Sequence, residues 1–234
     1  ELVYAPPLYM IETKNLCKTF KSGEIETPVL KGIDLNIQNG EFVAIVGRSG
    51  AGKSTLLYQM SLLDDPTEGH VIINGHDTHV MPESEKSLFR LVQFGYVFQD
   101  YALLPELTAL ENVVLPLLMQ NMSKEHSYRK AAEALEQVEL GPRLKNLPSQ
   151  LSGGEQQRVS IARAIAHKPN VLFADEPTAN LDNESSHAIL NIFRELHRKG
   201  QTIIMVTHEE EFSREAGRVI RLDDGKVIST ERHL

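Results

Sequence analysis

The stretch Phe42–Met60, FVAIVGRSGAGKSTLLYQM, decides how the rest of the 234-residue chain is read. FVAIV is short, wholly apolar and bounded by glycine, the pattern of a strand buried on both faces. GRSGAGKST follows at Gly47–Thr55, and a helix begins beyond it. A G-x-x-x-x-G-K-[ST] run between a strand and a helix is a phosphate-binding loop. Its glycines let the backbone curl so that successive N–H groups of Arg48, Ser49, Gly50, Ala51 and Gly52 face a phosphate at the positive end of the helix. Lys53 is placed to reach the β- and γ-phosphates, Ser54 to offer its hydroxyl to Mg²⁺, and Thr55 closes the loop. The ligand expected here is a nucleoside triphosphate.

Composition narrows the class. The chain is 41% hydrophobic and 24% charged, ordinary for a globular protein. No run of about 18 apolar residues occurs; the nearest, ALLPELTALENVVLPLLM, is interrupted by Pro105, Glu106, Glu111, Asn112 and Pro116. A formal net charge of −8 argues against non-specific binding to nucleic acid or anionic lipid. The single cysteine, Cys17, cannot form an internal disulfide and suits a reducing cytoplasm. Residues 1–9 contain a proline pair and are expected to be a tail or an expression remnant ahead of a start at Met10.

VLFAD (Val171–Asp175) and TIIMVTH (Thr202–His208) repeat the buried-strand pattern. Between them ESSHAILNIFRELHRKG puts Ile189, Ile192, Phe193 and Leu196 on one helical face and stops at Gly200. Strand–helix–strand alternation implies parallel pairing and an α/β core. Ile11–Gly40 and GHVIINGHD predict an antiparallel β layer, and RVIRLDDGKVIS a hairpin about Asp-Asp-Gly. Residues 102–168 are helix-rich; SKEHSYRKAAEALEQVEL is amphipathic, capped by Ser123 and closed by Gly141–Pro142. This stretch reads as a helical lobe inserted in one nucleotide-binding domain over residues 10–234. Without internal repeats, the chain is expected to hold one such unit. His70, His76 and His79 fall in a β-turn region and read as solvated, not as a metal cluster.

VLFADE completes the triphosphate site. Its apolar residues bury the strand and deliver Asp175 to the carboxyl end, where it can hold Mg²⁺ through water; Glu176 follows and is suited to polarise an attacking water.

LSGGEQQRVSIARAIA, Leu151–Ala166, places a second glycine pair at a helix start, another anion site with Ser152 as an added donor. This stretch resembles the signature of ATP-binding-cassette (ABC) ATPases. Phe20, Gln99 in GYVFQD, VLFADEP, ANLD (Ala179–Asp182) and His208 fall into the family's order. The resemblance covers essentially all of residues 10–234 and implies the ABC ATPase fold: an α/β P-loop NTPase core, an antiparallel β subdomain and an inserted helical subdomain. It implies ATP and Mg²⁺ as ligands, and two cassettes packed head to tail. Ser152, Gly153 and Gly154 then serve the ATP held by a partner chain, expected to be identical. It further implies that Phe20 stacks on adenine and that Gln99 contacts Mg²⁺ and the attacking water and senses a membrane partner. His208 is implied to contact the γ-phosphate, and Asp182 to communicate across the dimer. Glu155 stands where many signatures have Gln, and Arg48 occupies a variable loop position read as solvated.

No long heptad stretch separates Lys53 from Leu151, which disfavours ABC proteins with coiled-coil insertions, and the single cassette expected in these 234 residues disfavours the tandem ribosome-associated type. LLDDPTEGHVIING and YVFQDYALLPELTALENVVLPLL are similar to the ATPases of the lipoprotein-releasing and macrolide-exporting group. The resemblance implies an Mg-dependent ATPase on the cytoplasmic face of the membrane, bound to a permease subunit and not to nucleic acid. Tyr101, Leu103, Leu104 and Leu107 are the apolar residues expected to meet that partner. A soluble ABC switch acting on a non-transport assembly is the alternative. A P-loop kinase has no use for LSGG, and a GTPase would carry the guanine-reading N-K-x-D, which is absent.

Overall fold

The apolar runs form the strands that their composition predicts. In the computed structural model, which describes Met10–Arg232, every residue of β3 (Phe42–Val46) is buried, as is every residue of β7 (Val171–Asp175) and β8 (Thr202–Val206). Residues 1–9, read as a tail, lie outside the described residues. The chain packs as two compact units, one of residues up to Lys86 together with those from Ile204 on, the other Ser87–Ile203.

In the first unit β1 (Ile11–Ser22) and β2 (Ile25–Ile37) form a long antiparallel pair. β4 (Glu68–Ile73) and β5 (His76–Asp77) extend it in the order β2-β1-β4-β5. This is the antiparallel layer expected from Ile11–Gly40 and GHVIINGHD. His70, His76 and His79 are all exposed; His70 Nδ1 lies 2.7 Å from Asp77, and His76 Nδ1 is 3.1 Å from the Asn74 carbonyl. The helix after the phosphate loop is α1 (Lys53–Met60), which touches β1 and β2. β9 (Arg218–Asp223) runs parallel to β3, Val43 opposite Arg218 through Val46 opposite Arg221, and pairs antiparallel with β10 (Lys226–Arg232). Thr207 N–H donates to the Ile45 carbonyl at 3.2 Å, fixing the end of β8 beside β3.

The Asp-Asp-Gly hairpin forms as read: Asp224 (φ 43°) and Gly225 (φ 72°) make the two-residue turn, the positive-φ pair that suits the right-handed twist of its strands. Gly225 accepts from Lys31 N–H at 2.9 Å, and a Cβ on it would lie 2.2 Å from the Val29 carbonyl oxygen. The turn is thereby pressed onto β2.

In the second unit β6 (Phe94–Val97) pairs parallel with β7, Phe94 opposite Val171. Ahead of β6 lies α2 (Glu83–Gln93), which crosses from the first unit and which the sequence reading does not assign, although Leu88, Phe89, Leu91 and Val92 fall at helical spacing. α3 (Ala109–Met119), α4 (Lys124–Gln137) and α5 (Gly153–Ile165) pack on one another and fill the expected helical stretch. Ser123 caps α4 as read, accepting from His126 N–H. The helix ends earlier than its Gly-Pro punctuation suggests: Glu139 takes the left-handed position (φ 62°), and Leu140 N–H reaches back 2.8 Å to the Leu135 carbonyl. The leucine pair is buried, and this contact terminates the helix before Gly141. α6 (Asn183–Arg198) buries Ile189, Phe193 and Leu196 as expected, with Leu190 and not Ile192 completing the face. α7 (Glu210–Arg214) is a short helix in the first unit.

Gly225→Ala is expected to destabilise the protein by about 2–3 kcal/mol, combining a positive φ with backbone overlap. Thermal melting should show a drop of several degrees; an unchanged midpoint would mean that the turn does not seat on β2.

Candidate active site

A helix leaves its first four amides without intrahelical partners, and how each helix start treats them tells what it is for. At α1 the N-cap is Gly52 (φ 96°), with no side chain to accept from those amides. Gly50 is also left-handed (φ 78°), so the chain winds around a small concave floor, as in other phosphate loops. Ala51 and Lys53 are buried, Arg48, Ser49 and Gly50 exposed, and Gly47, Ser54 and Thr55 half-buried. Lys53 is only 7% exposed and its Nζ lies 3.2 Å from the Arg48 carbonyl, so the ammonium is curled over the loop. The Arg48 side chain is in solvent, as read.

Phe20, near the end of β1, is 47% exposed, and Lys18 Nζ sits 5.1 Å from its ring centroid. That lysine is in turn held by Asp64 at 2.7 Å. One ring face meets a cation, and the ring is exposed enough to take a base. His208, two residues past β8, is exposed. These residues and the phosphate loop belong to the first unit.

The remaining site residues lie in the second unit, and three segments there are drawn together. Gln99 follows β6, and its carbonyl lies 3.3 Å from Asn180 Nδ2. Two residues on, Tyr101 (φ 60°) and Ala102 (φ 49°) are both left-handed, with Ala102 N–H donating to the Asp100 carbonyl in a tight γ-like turn. Arg163 of α5 holds that turn, donating to the Tyr101 carbonyl at 2.8 Å and to the Ala102 carbonyl. Burial lowers the pKa of its guanidinium. Downstream, buried Asn112 accepts from Leu104 N–H and donates to the carbonyls of Leu104, Leu107 and Thr108, shaping the loop into α3.

The start of α5 contrasts with that of α1. Ser152 caps it, its hydroxyl accepting from Glu155 N–H at 3.2 Å while Glu155 accepts from Ser152 N–H at 2.9 Å. Glu155 thus closes a capping box as Gln would, and it adds an ion pair to Arg143 at 2.9 Å. The hydrogen bond from Ser152 first, and then Arg143, hold its carboxyl below the usual carboxylate range. Gly153 and Gly154 are required by their own chain as well. A Cβ on Gly153 would lie 2.9 Å from the Tyr101 hydroxyl, and one on Gly154 2.6 Å from Ser185 Oγ. Ser185 stands in the first turn of α6, whose N-cap is Asp182; the Ser185 amide and hydroxyl donate to that carboxylate at 2.8 and 2.9 Å and lower its pKa. So Asp182, exposed, organises the α6 start beside the glycine pair.

Asp175 closes β7 and is buried; Glu176 follows in the left-handed region at φ 44°. Its carbonyl accepts from Ala179 N–H at 3.2 Å, and Pro177 sits in the turn between them. Buried Gln157 of α5 donates to the Pro177 carbonyl at 2.7 Å. Gln157, Arg163 and Asn180 are the site-forming residues that sequence reasoning misses. One signal was available for the first: Gln157 lies with Ser160, Ile161 and Ala164 on the buried stripe of α5, an unusual place for an amide.

Comparison with known proteins decides the family. A profile described as ABC transporter matches residues 30–179. The chain belongs to the ABC transporter family. It is an ATP-binding cassette with the ABC ATPase fold, an ATPase whose turnover drives transport. An ABC transporter ATP-binding protein of Methanocaldococcus jannaschii is 50% identical over 94% of this chain and 98% of its own length. The lipoprotein-releasing system ATP-binding protein LolD of Aquifex aeolicus is 46% identical over 94% of this chain and 96% of its own. The macrolide export ATP-binding/permease protein MacB of Bdellovibrio bacteriovorus is 44% identical over 95% of this chain, which spans 34% of that longer protein. The solved dimer of the cassette MJ0796 superposes with a TM-score of 0.89 at 43% identity, covering 95% of this chain and 98% of that one; the same cassette is also solved as a dimer bound to ADP and Pi.

Because the Glu155 pKa is depressed in the fold, its contribution to stability is complete above the ordinary glutamate value and disappears as pH falls through the lower folded value. Glu155→Gln keeps the capping box and loses only the charge. Urea midpoints of cassette and variant should therefore differ most at neutral pH and converge as pH drops below about 4.5; a gap independent of pH would refute the assignment.

Proposed function

We propose that residues 10–234 act as one nucleotide-binding domain, with a helical lobe over residues 102–168, that hydrolyses Mg-ATP as half of a head-to-tail pair of identical chains. The observation that carries this is the presence in one chain of two helix starts suited to anions but differently furnished: α1 follows a lysine-bearing glycine loop, and α5 offers an exposed serine and a glycine pair with no lysine. A single triphosphate needs one of them; a partner's triphosphate explains the other. The dimeric relatives support this reading.

The roles of the phosphate loop, Asp175 and Glu176 follow from their chemistry; those of Phe20, Gln99, His208, Asp182 and Ser152–Gly154 are what the family resemblance implies. The amides from Gly47 to Thr55 and the Lys53 ammonium hold the β- and γ-phosphates and favour the charge that develops as the terminal group leaves. Phe20 stacks on adenine. Ser54, Gln99 and Asp175 supply oxygen donors, a set that fits a hard cation, and Mg²⁺ held by them neutralises phosphate charge when bound. Glu176, carried on a turn in the left-handed region, polarises the attacking water, and His208 contacts the γ-phosphate. Ser152, Gly153 and Gly154 close on the partner's ATP, with Asp182 beside them.

The membrane subunit belongs to the same proposal. Leu115, Leu118 and Met119 are exposed on one face of α3, and Leu88 and Val92 are exposed one turn apart on α2. Gln120 Nε2 donates to the Leu91 carbonyl at 2.7 Å and joins the two helices. Of the four residues singled out in the loop, Leu104 is exposed, while Tyr101, Leu103 and Leu107 are half-buried, so α2 and α3 expose more large apolar side chains than the loop does. That surface suits an amphipathic cytoplasmic helix of a permease. No helix among the described residues is long and apolar enough to cross a membrane. The cassette would therefore sit on the cytoplasmic face through that partner. By resemblance the function falls in the group of lipoprotein release and macrolide or peptide export.

Glu176→Gln preserves shape and removes the carboxylate that activates water. Light scattering should show monomers without nucleotide and dimers with Mg-ATP, alongside a fall in kcat of about a hundredfold or more. A variant that binds ATP and stays monomeric would rule out the identical-chain sandwich.

A further inference from the structure

Buried Gln157 is the one polar side chain of α5 that reaches the segment bearing Glu176. Its side chain is fully excluded from solvent, and its two amide atoms meet different fates. Nε2 donates to the Pro177 carbonyl at 2.7 Å, 20 residues along the chain, whereas Oε1 has no hydrogen-bond partner. A buried carbonyl oxygen without a donor costs stability, so a leucine or methionine of similar length would serve packing better. What a glutamine adds here is the grip on Pro177.

That grip acts where the backbone needs it. Glu176 occupies the left-handed region at φ 44°, a conformation that a non-glycine residue keeps only when its surroundings hold it. Its carbonyl is fixed by Ala179 N–H, and the next carbonyl by Gln157. With both held, the direction in which the Glu176 side chain leaves the backbone is set. The holding residue stands on the second turn of the helix that Ser152, Gly153 and Gly154 open.

We infer that Gln157 is a positioning residue for Glu176, making the direction of that carboxylate depend on how α5 is seated. This deepens the proposed function and rests on it. Any axial shift of α5 when its N-terminus closes on a neighbour's phosphate is delivered through one side chain to the carbonyl following Glu176. The chain's own water-activating group is then in register only when α5 is seated. The second tether runs in the same sense: Arg163, farther along α5, holds the Tyr101 and Ala102 carbonyls beyond Gln99.

The test uses the full chain with Mg-ATP at concentrations that support dimers. Gln157→Leu removes the donor at similar volume. It should lower kcat about tenfold or more, leave KM and the affinity for a fluorescent ATP analogue within about twofold, and leave the melting temperature unchanged or higher. Gln157→Met repeats the test if leucine branching perturbs folding. Adding Gln157→Leu to Glu176→Gln should not further lower the residual single-turnover rate, because the two changes act through one carboxylate. A wild-type kcat in both position-157 variants, or a loss that multiplies in the Glu176→Gln background, would overturn the inference while sparing the site. A loss of kcat that tracks falling melting temperature in both variants would overturn it too, as a packing role. If Glu176→Gln itself hydrolyses ATP at the wild-type rate, the proposed active site fails and the inference fails with it.

Discussion

The unpaired amides at the start of a helix are the constraint on which this cassette is built. They must find an acceptor; a serine side chain supplies one at α5, whereas the cap of α1 has no side chain to offer. Ser152 and Glu155 satisfy each other's backbone at α5, so that start is stable as it stands. At α1 the N-cap is a glycine with nothing to offer. A helix start without a side-chain cap gains most from a strongly charged acceptor. In a chain of formal net charge −8, neutral amide donors and one buried lysine attract phosphate without a broad basic surface that would also bind nucleic acid.

Close packing explains why the second helix start is so specific in sequence. A methyl at Gly154 would overlap Ser185, and one at Gly153 would press on the Tyr101 hydroxyl. The glycines therefore let α5 approach α6 and the Tyr101 turn. Asp182, capping α6, positions the same Ser185 that Gly154 must admit. Residues that resemblance assigns to a partner's nucleotide are thus also structural in their own chain, and substitution there is expected to damage both.

Much of this was legible in the sequence, for physical reasons that differ by element. FVAIV, VLFAD and TIIMV declare themselves because a strand covered on both faces is a nearly continuous apolar run, with polar residues only at its ends. The Asp-Asp-Gly turn is equally plain, since its two positive φ angles need those residues. α2 is passed over although ESEKSLFRLVQ has a helical period, with Leu88, Phe89, Leu91 and Val92 on one face, because it is short and mostly polar. The end of α4 was misplaced because a buried leucine pair stops the helix before the glycine does. The parallel β3–β9 pairing joins residues far apart in sequence, which no local pattern encodes. Gln157 and Arg163 escaped for a related reason: each acts on backbone carbonyls, at separations of 20 residues and about 60, and a carbonyl has no letter in the sequence.

Those carbonyl contacts bear on how binding energy becomes motion. A ligand shifts an equilibrium only by as much as it prefers one state, so the phosphate at a helix start must meet an element that moves as a unit. α5 suits that task. Its residues Val159, Ile161, Ala162, Ala164 and Ile165 are buried, and a helix so enclosed shifts as a body before it bends. A flexible lever would absorb the displacement along its length. A helix gripping the Pro177 carbonyl near one end and the Tyr101–Ala102 turn near the other passes it on at both. Each grip ends on a segment whose neighbouring φ angles are left-handed, at Glu176 and at Tyr101 and Ala102. Such backbone is held by its surroundings more than by its own preference. The strained turns are therefore the places where a small movement of α5 changes geometry most, and they flank Gln99 and Glu176.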